Sequence, residues 1–348
     1  MELQICDDTI IKSSPDYAHI LSIVFNDPDA YKWFAESYIQ LLIGTDGLDR
    51  EPMFYNFVDY SMFSNTDYYF VANNKTCPFA DIYRDPYNIV EERGISIIDY
   101  IKEKLQNNFY IMFFVDITEI AAYKLHIKFH CPLIYGYDDE KQEILFRDYC
   151  GLHYIKSRMS FDELEKGFIK FREQKNIYQP FIEYGINCIQ LKHIDYYIDS
   201  KKIIGSLRDY LFGDEVKETY FKFLQNSSYH YGIDVLRLTK KALLKEIEKD
   251  KLNIGWRVRY AHFIDFEQAM VSRIEILHKN QMISSKESNE MILLVKSNLD
   301  CAEKVLNCYL KFLIKPNRNI ILNIINFLDD MEKNQVYYIN KLIEALMV

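Results

Sequence analysis

The 348-residue chain has no CxxC pair, no GxSxG and only 11 glycines. The first absence removes the commonest structural zinc arrangement. The second removes the strained serine elbow of α/β-hydrolases. So few glycines leave little from which to build a phosphate cradle. The stretch LLIGTDG (41–47) fits neither the Walker nor the dinucleotide fingerprint. No run approaches 18 uninterrupted apolar residues, so no membrane-spanning helix is expected. Basic residues are outnumbered, 42 against 51 acidic, for a net charge of -9. That balance argues against nucleic acid, whose phosphates need a basic footprint, and against an anionic membrane surface. The start, MELQICDDTIIK, shows no basic region followed by an apolar run, so a cytoplasmic protein is expected. Internal repeats and low-complexity tracts are also missing.

What is present is apolar material, 49 % of the chain, enough for one large or two ordinary domains. The seven cysteines, Cys6, Cys77, Cys131, Cys150, Cys188, Cys301 and Cys308, form an odd, scattered set that reads as reduced thiols. Residues 16–25 carry apolar side chains at helical spacing. Residues 26–44 read as a second helix, with Asp27 as cap, Pro28 in the first turn and Gly44 at the end. Residues 45–94 read as loops with short strands, and 95–108 as an amphipathic helix. Three β-branched and aromatic runs follow at 109–116, 132–138 and 143–149, the last two joined by a turn at 139–142. A capping box, Ser160 with Glu163, opens a helix over 160–173. A strand is expected near 187–195. Beyond it come helices at about 199–226, 230–250, 257–280, 285–313 and 317–346. The pattern predicts an α+β domain over 1–158 and a mainly helical domain over 159–348.

Chemistry concentrates in HIKFHCPLIYGYDDEKQEILFRDY (126–149). Two antiparallel strands joined by a short turn bring their far ends together. His130 precedes one strand and Asp148 ends the other, so the two can meet at one sheet edge. A carboxylate there would hold one imidazole nitrogen and direct proton transfer to the other. A surface histidine beside an unrelated turn aspartate satisfies the same spacing. His126 and His153 compete for the role, each with an acid less well placed.

HCPLIYGYD followed by ILFRDY resembles the His-and-acid half of the papain-like cysteine protease superfamily. In that superfamily a His-x-x-x-x-x-Gly-Tyr strand carries the base, and an Asn or Asp on the next strand orients it. The pattern is most similar to a bacterial natural-product branch, that of the butirosin-type acyltransferases and the amide-forming enzymes that use carrier-protein thioesters. Bacteriocin-processing peptidases share the strand pattern. The resemblance spans roughly residues 1–158 and implies a papain-like cysteine peptidase fold. It also implies cysteine-type acyl transfer, from an acyl or peptidyl carrier protein to a small amine. The acyl group would arrive on the carrier's phosphopantetheine arm, and no cofactor of the enzyme's own is implied. Self-association of the chain is left open.

The family's thiol sits at the N-terminus of the first long helix, where the helix end lowers its pKa. The matching segment here, SSPDYAHILSIVF, has Asp16, Tyr17 and Ala18 but no cysteine. Three explanations compete: a nucleophilic thiol replaced at Ala18, a non-catalytic binding or self-resistance protein, or another nucleophile. A cysteine hydrolase, either thioesterase or peptidase, is a further alternative for the chemistry. Gln4 is the one glutamine upstream of Ala18 that could help stabilise an oxyanion. His19 reads as a boundary residue.

Other clusters carry less. Asp81, Arg84 and Asp85 read as a solvated loop. Arg257, Arg259, His262, Asp265 and Glu267 read as a plain helix surface, with a metal role for His262, Asp265 and Glu267 the minor alternative. A carrier protein, acidic as a class, would need a basic patch here, with Lys166–Lys175 or Lys240–Lys245 the candidates.

Overall fold

The computed structural model describes residues 1–13, 15–45, 52–58, 77–123, 128–151, 153–174, 182, 184–213, 229–250, 252 and 257–347. It is a mixed α/β structure with ten helices among the described residues. The chain forms two compact units, Met1–Ala30 with Asn65–Asp195, and Tyr31–Ser64 with Tyr196–Val348.

The first unit contains α1 (Pro15–Val24), β3 (Ala80–Asp85), α3 (Ile89–Arg93), α4 (Ile97–Gln106), β4 (Phe109–Met112), β5 (Val115–Asp116), β6 (Phe129–His130), β7 (Leu133–Asp138), β8 (Glu143–Cys150), β9 (His153–Ser160), α5 (Phe161–Glu173) and β10 (Ile186–Leu191). Six strands make one sheet in the order β3-β10-β4-β7-β8-β9, every neighbour antiparallel. β5 and β6 form a separate two-stranded ladder. Ser96 caps α4 by accepting from the Asp99 amide. Ser160 and Glu163 form the capping box of α5.

The second unit contains α2 (Ala30–Glu36), β1 (Gln40–Thr45), β2 (Pro52–Val58), α6 (Ser200–Phe212), β11 (Tyr229–Tyr231), α7 (Asp234–Ile247), α8 (Arg257–Lys279), α9 (Ser285–Ile314) and α10 (Arg318–Leu346). Its antiparallel sheet runs β11-β1-β2. In α9, Met291, Val295, Asn298, Ala302, Val305, Tyr309 and Phe312 are buried, alternating three and four residues apart. Spacing of this kind keeps one stripe facing a partner helix along the whole length. α10 continues it with Leu328, Met331, Gln335, Tyr338 and Leu342.

Three expectations are corrected. The boundary near residue 158 falls inside β9, because β10 lies between β3 and β4 and α5 packs on β5. Residues 40–45 instead pair with β11, far along the chain. The helix expected over 26–44 shrinks to Ala30–Glu36. Tyr38 turns the backbone with a φ of 55°, and QLLIGT leaves to become β1. A short apolar run suits either state, and only its sheet partners decide. Finally, α8 is no plain helix surface. Tyr260, Phe263, Phe266, Met270 and Ile274 are buried, and so are His262, Asp265 and Glu267. Arg273, also fully buried, donates to the Ala35 and Ser37 carbonyls at 2.8 and 2.6 Å. Among the described residues no helix is long and apolar enough to cross a membrane.

Candidate active site

β7 and β8 pair with Leu133 opposite Arg147, so the chain just before β7 and the end of β8 come together. His130 belongs to β6, opposite Val115 on β5, rather than to β7 itself; Cys131 and Pro132 link the two. The register shifts between Ile134 and Gly136, and an added Cβ at Gly136 would lie 2.7 Å from the Met1 carbonyl. The glycine of the His-strand pattern is thus required by a close backbone approach.

At this edge His130 Nδ1–H donates to Asp148 Oδ2 at 2.5 Å. The acid side chain is 0 % exposed and the imidazole 16 %. Tyr123 O–H donates to the same oxygen at 2.6 Å, and the Tyr149 amide donates to Oδ1 at 2.8 Å. A carboxylate removed from water needs such donors, because an unpaired buried charge is costly. Accepting from Nδ1–H sets the ring tautomer and directs proton transfer to Nε2. The Tyr123 hydroxyl is held well above the ordinary phenol range by burial and by the adjacent Asp148, so it stays a donor.

The helix α1 closes the far side. His19 Nε2–H donates to the Cys131 carbonyl at 2.9 Å. A carbonyl only accepts, so Nδ1 is the acceptor from Tyr154 O–H at 2.7 Å. His19 Nε2 stands 3.9 Å from Asp148 Oδ1, beyond hydrogen-bond reach. Burial lowers the His19 pKa to about 4. The Asp148 charge opposes that, while His130 and Arg147 add to it. His19 is therefore neutral at pH 7 and serves as a strut between α1 and the His130 segment. Ser22, one turn on, donates to the Ala18 carbonyl at 2.6 Å and accepts from Arg147 Nη1 at 3.1 Å. Arg147 also donates to the Cys6 and Asp7 carbonyls and lies 4.5 Å over the Tyr154 ring.

These contacts define which face of α1 points at the acid. His19 and Ser22, three residues apart, share it. Ala18 lies about 100° around the helix from His19 and is itself fully buried. Residues 17 to 24 are all buried, so that stretch of the helix is enclosed on every side.

The remaining candidates are dispersed. His126 lies outside the described residues. His153 is exposed at the start of β9, and Gln4 is exposed. Cys150, Cys188, Cys301 and Cys308 are each pushed up by burial, which keeps them thiols rather than thiolates. Cys77 and Cys131 are buried, and Cys6 Sγ donates to the Asp8 carbonyl. The segment around Asp81 is the edge strand β3, not a loop. Asp81 pairs with Lys192, and Asp85 accepts from Tyr100 and Lys104. In the two candidate basic patches Lys166 pairs with Asp162, Lys170 with Glu119, Arg172 with Glu91, and Lys240 with Asp329 and Glu332. Among the described residues no group of His, Cys, Asp and Glu is arranged to hold a metal ion. Sequence reasoning missed Tyr123 and Tyr154. Neither belongs to a spacing pattern, so only three-dimensional proximity reveals them.

No protein-family model matches this chain, and no curated protein is similar enough to count as a relative.

Acid is expected to weaken this site through His19. Its folded pKa of about 4 lies below the ordinary 6.5, so the unfolded chain binds protons more tightly between these values. The stabilisation is complete above pH 6.5 and is lost as pH falls towards 4, by about 3 kcal/mol from this residue. Hydrogen exchange of the β7–β8 amides at pH 7 and pH 4.5 measures it. A His19→Gln variant equally sensitive across that window would refute the assignment.

Proposed function

We propose that the first unit is a cysteine-peptidase-type acyl-transfer scaffold of papain-like design, in which His130 is the base and Asp148 its orienting acid. The observation that carries the reading is the 2.5 Å hydrogen bond between His130 Nδ1 and a fully buried Asp148. Further support is the chain order of a buried helix, a histidine segment and an acid strand, with the helix joined to the histidine segment through His19. The substrate class follows from the resemblance: an acyl thioester on a carrier protein, passed to a small amine to form an amide.

In such a cycle the base takes the proton from an enzyme thiol, and the thiolate attacks the thioester carbonyl. The tetrahedral intermediate expels the carrier thiolate, which leaves protonated by the imidazolium. An amine then attacks the acyl-enzyme and gives its proton to His130. The departing enzyme thiolate recovers that proton. Asp148 stabilises the imidazolium in both halves of the cycle. In this chain the thiol must first be supplied, since Ala18 stands where the family pattern expects cysteine.

A second reading is a non-catalytic binding or self-resistance protein on the same scaffold. The complete burial of Ala18, which encloses the position where the thiol is expected, favours it. The test separates the two. Ala18→Cys and Asp16→Cys variants are incubated with a short acyl thioester of N-acetylcysteamine, and intact mass is recorded. An added acyl group that is absent when His130→Ala is combined with the same change supports acyl transfer. Amide product with an added amine identifies a transferase, and acid product a hydrolase. No acyl adduct in either folded variant leaves the binding protein.

A further inference from the structure

We infer that Tyr123 is a positioning residue that sets the proton affinity of His130 through the Asp148 oxygen they share. This rests on the reading of His130 as the base and adds how that base is tuned.

Tyr123 follows the short turn after β5, where its amide donates to the Ile120 carbonyl at 3.1 Å. Its ring stacks on Phe146 of β8, centroids 5.5 Å apart and planes 22° from parallel. Its hydroxyl and His130 Nδ1–H both end on Asp148 Oδ2, at 2.6 and 2.5 Å. The phenol is fixed by packing and spends its proton on the atom that orients the base. The other carboxylate oxygen is taken by the Tyr149 amide.

Two donors on one oxygen share its negative charge. The more of it the phenol neutralises, the less remains to stabilise an imidazolium at Nδ1. Tyr123 therefore holds His130 less basic than a lone buried aspartate would. The other ionisable groups around the pair act differently. His19, on α1, is neutral and donates to the Cys131 carbonyl. Arg147, on β8, is turned to the Cys6 and Asp7 carbonyls and the Tyr154 ring. Cys131 and Cys150 are neighbours of Tyr123, and Tyr154, on β9, donates to His19. Among the described residues Tyr123 is the one side-chain hydroxyl bonded to the oxygen that His130 uses.

The test titrates the His130 imidazole by NMR in the chain as it stands, in Tyr123→Phe and in Tyr87→Phe. The last loses a buried hydroxyl that donates to the Phe114 carbonyl at 2.9 Å and does not touch Asp148. Tyr123→Phe should raise the His130 pKa by about half a unit or more, while Tyr87→Phe leaves it in place. An unchanged value in Tyr123→Phe, or equal shifts in both variants, overturns the inference. Should Tyr123→Phe fail to fold, 3-fluorotyrosine placed at position 123 donates more strongly, and His130 must then shift downward. The titration needs no acyl donor. A chain that never accepts an acyl group would defeat the acyl-transfer reading and leave this result standing.

Discussion

Replacing Asp148 with alanine is expected to destabilise the first unit by about 3–5 kcal/mol and to release His130 from its orientation. The change removes an acceptor from three donors at once: His130 Nδ1–H, Tyr123 O–H and the Tyr149 amide. Each buried donor left without an acceptor costs about 1–3 kcal/mol. Relief from burying the carboxylate recovers part of the sum. Asp148→Asn should cost less, because its amide oxygen still accepts from two of the three donors. Its chemical effect should nonetheless be large, because a neutral partner no longer stabilises an imidazolium. In a thiol-bearing variant that accepts acyl groups, the loading rate should fall by about 10²–10⁴-fold. Urea unfolding and intact-mass time courses measure the two effects. Unchanged stability in the alanine variant would remove Asp148 as the hub of the site.

The second large effect lies in the helical unit and runs with pH in the opposite direction. Glu267, fully buried on α8, accepts from Gln335 Nε2 at 2.7 Å, Asn298 Nδ2 at 3.2 Å and Tyr338 O–H at 2.9 Å. These donors favour the charged form, yet burial outweighs them and raises the pKa from 4.5 to about 7. Between those values the folded chain keeps a proton that the unfolded chain has given up. Stability therefore falls as pH rises from 4.5 to 7, by about 3 kcal/mol from this group. Glu267→Gln should flatten the dependence and gain on the parent as pH rises. Hydrogen exchange of the α8 amides at pH 5 and pH 8 isolates this unit from the acid loss at His19. If parent and variant respond alike between those values, Glu267 is not the titrating group.

Much of this architecture was legible along the chain. The 3–4 spacing of α9 and α10, the Ser160 capping box and the turn between β7 and β8 are local signals, each set by residues within a turn or two of one another. The meeting of His130 with Asp148 was legible for the same reason, since the strands that join them are adjacent in sequence. Other features had no local signal. Residues 40–45 carry an apolar run that suits either helix or strand, and they became β1 through pairing with residues 229–231. The polar residues of α8 read as a solvated face until its neighbours were seen to surround it.

Chain-local chemistry thus determined the long amphipathic helices, the turn between β7 and β8, and the placing of His130 and Asp148 at its two ends. Tertiary structure alone decided the division into units, the burial of Glu267 and Arg273, and the gathering of His19, Tyr123 and Tyr154 around Asp148. The physical reason is range. Helix periodicity and hairpin closure act over a few residues, whereas desolvation and hydrogen bonding at a buried carboxylate depend on every segment that packs around it, however distant in sequence.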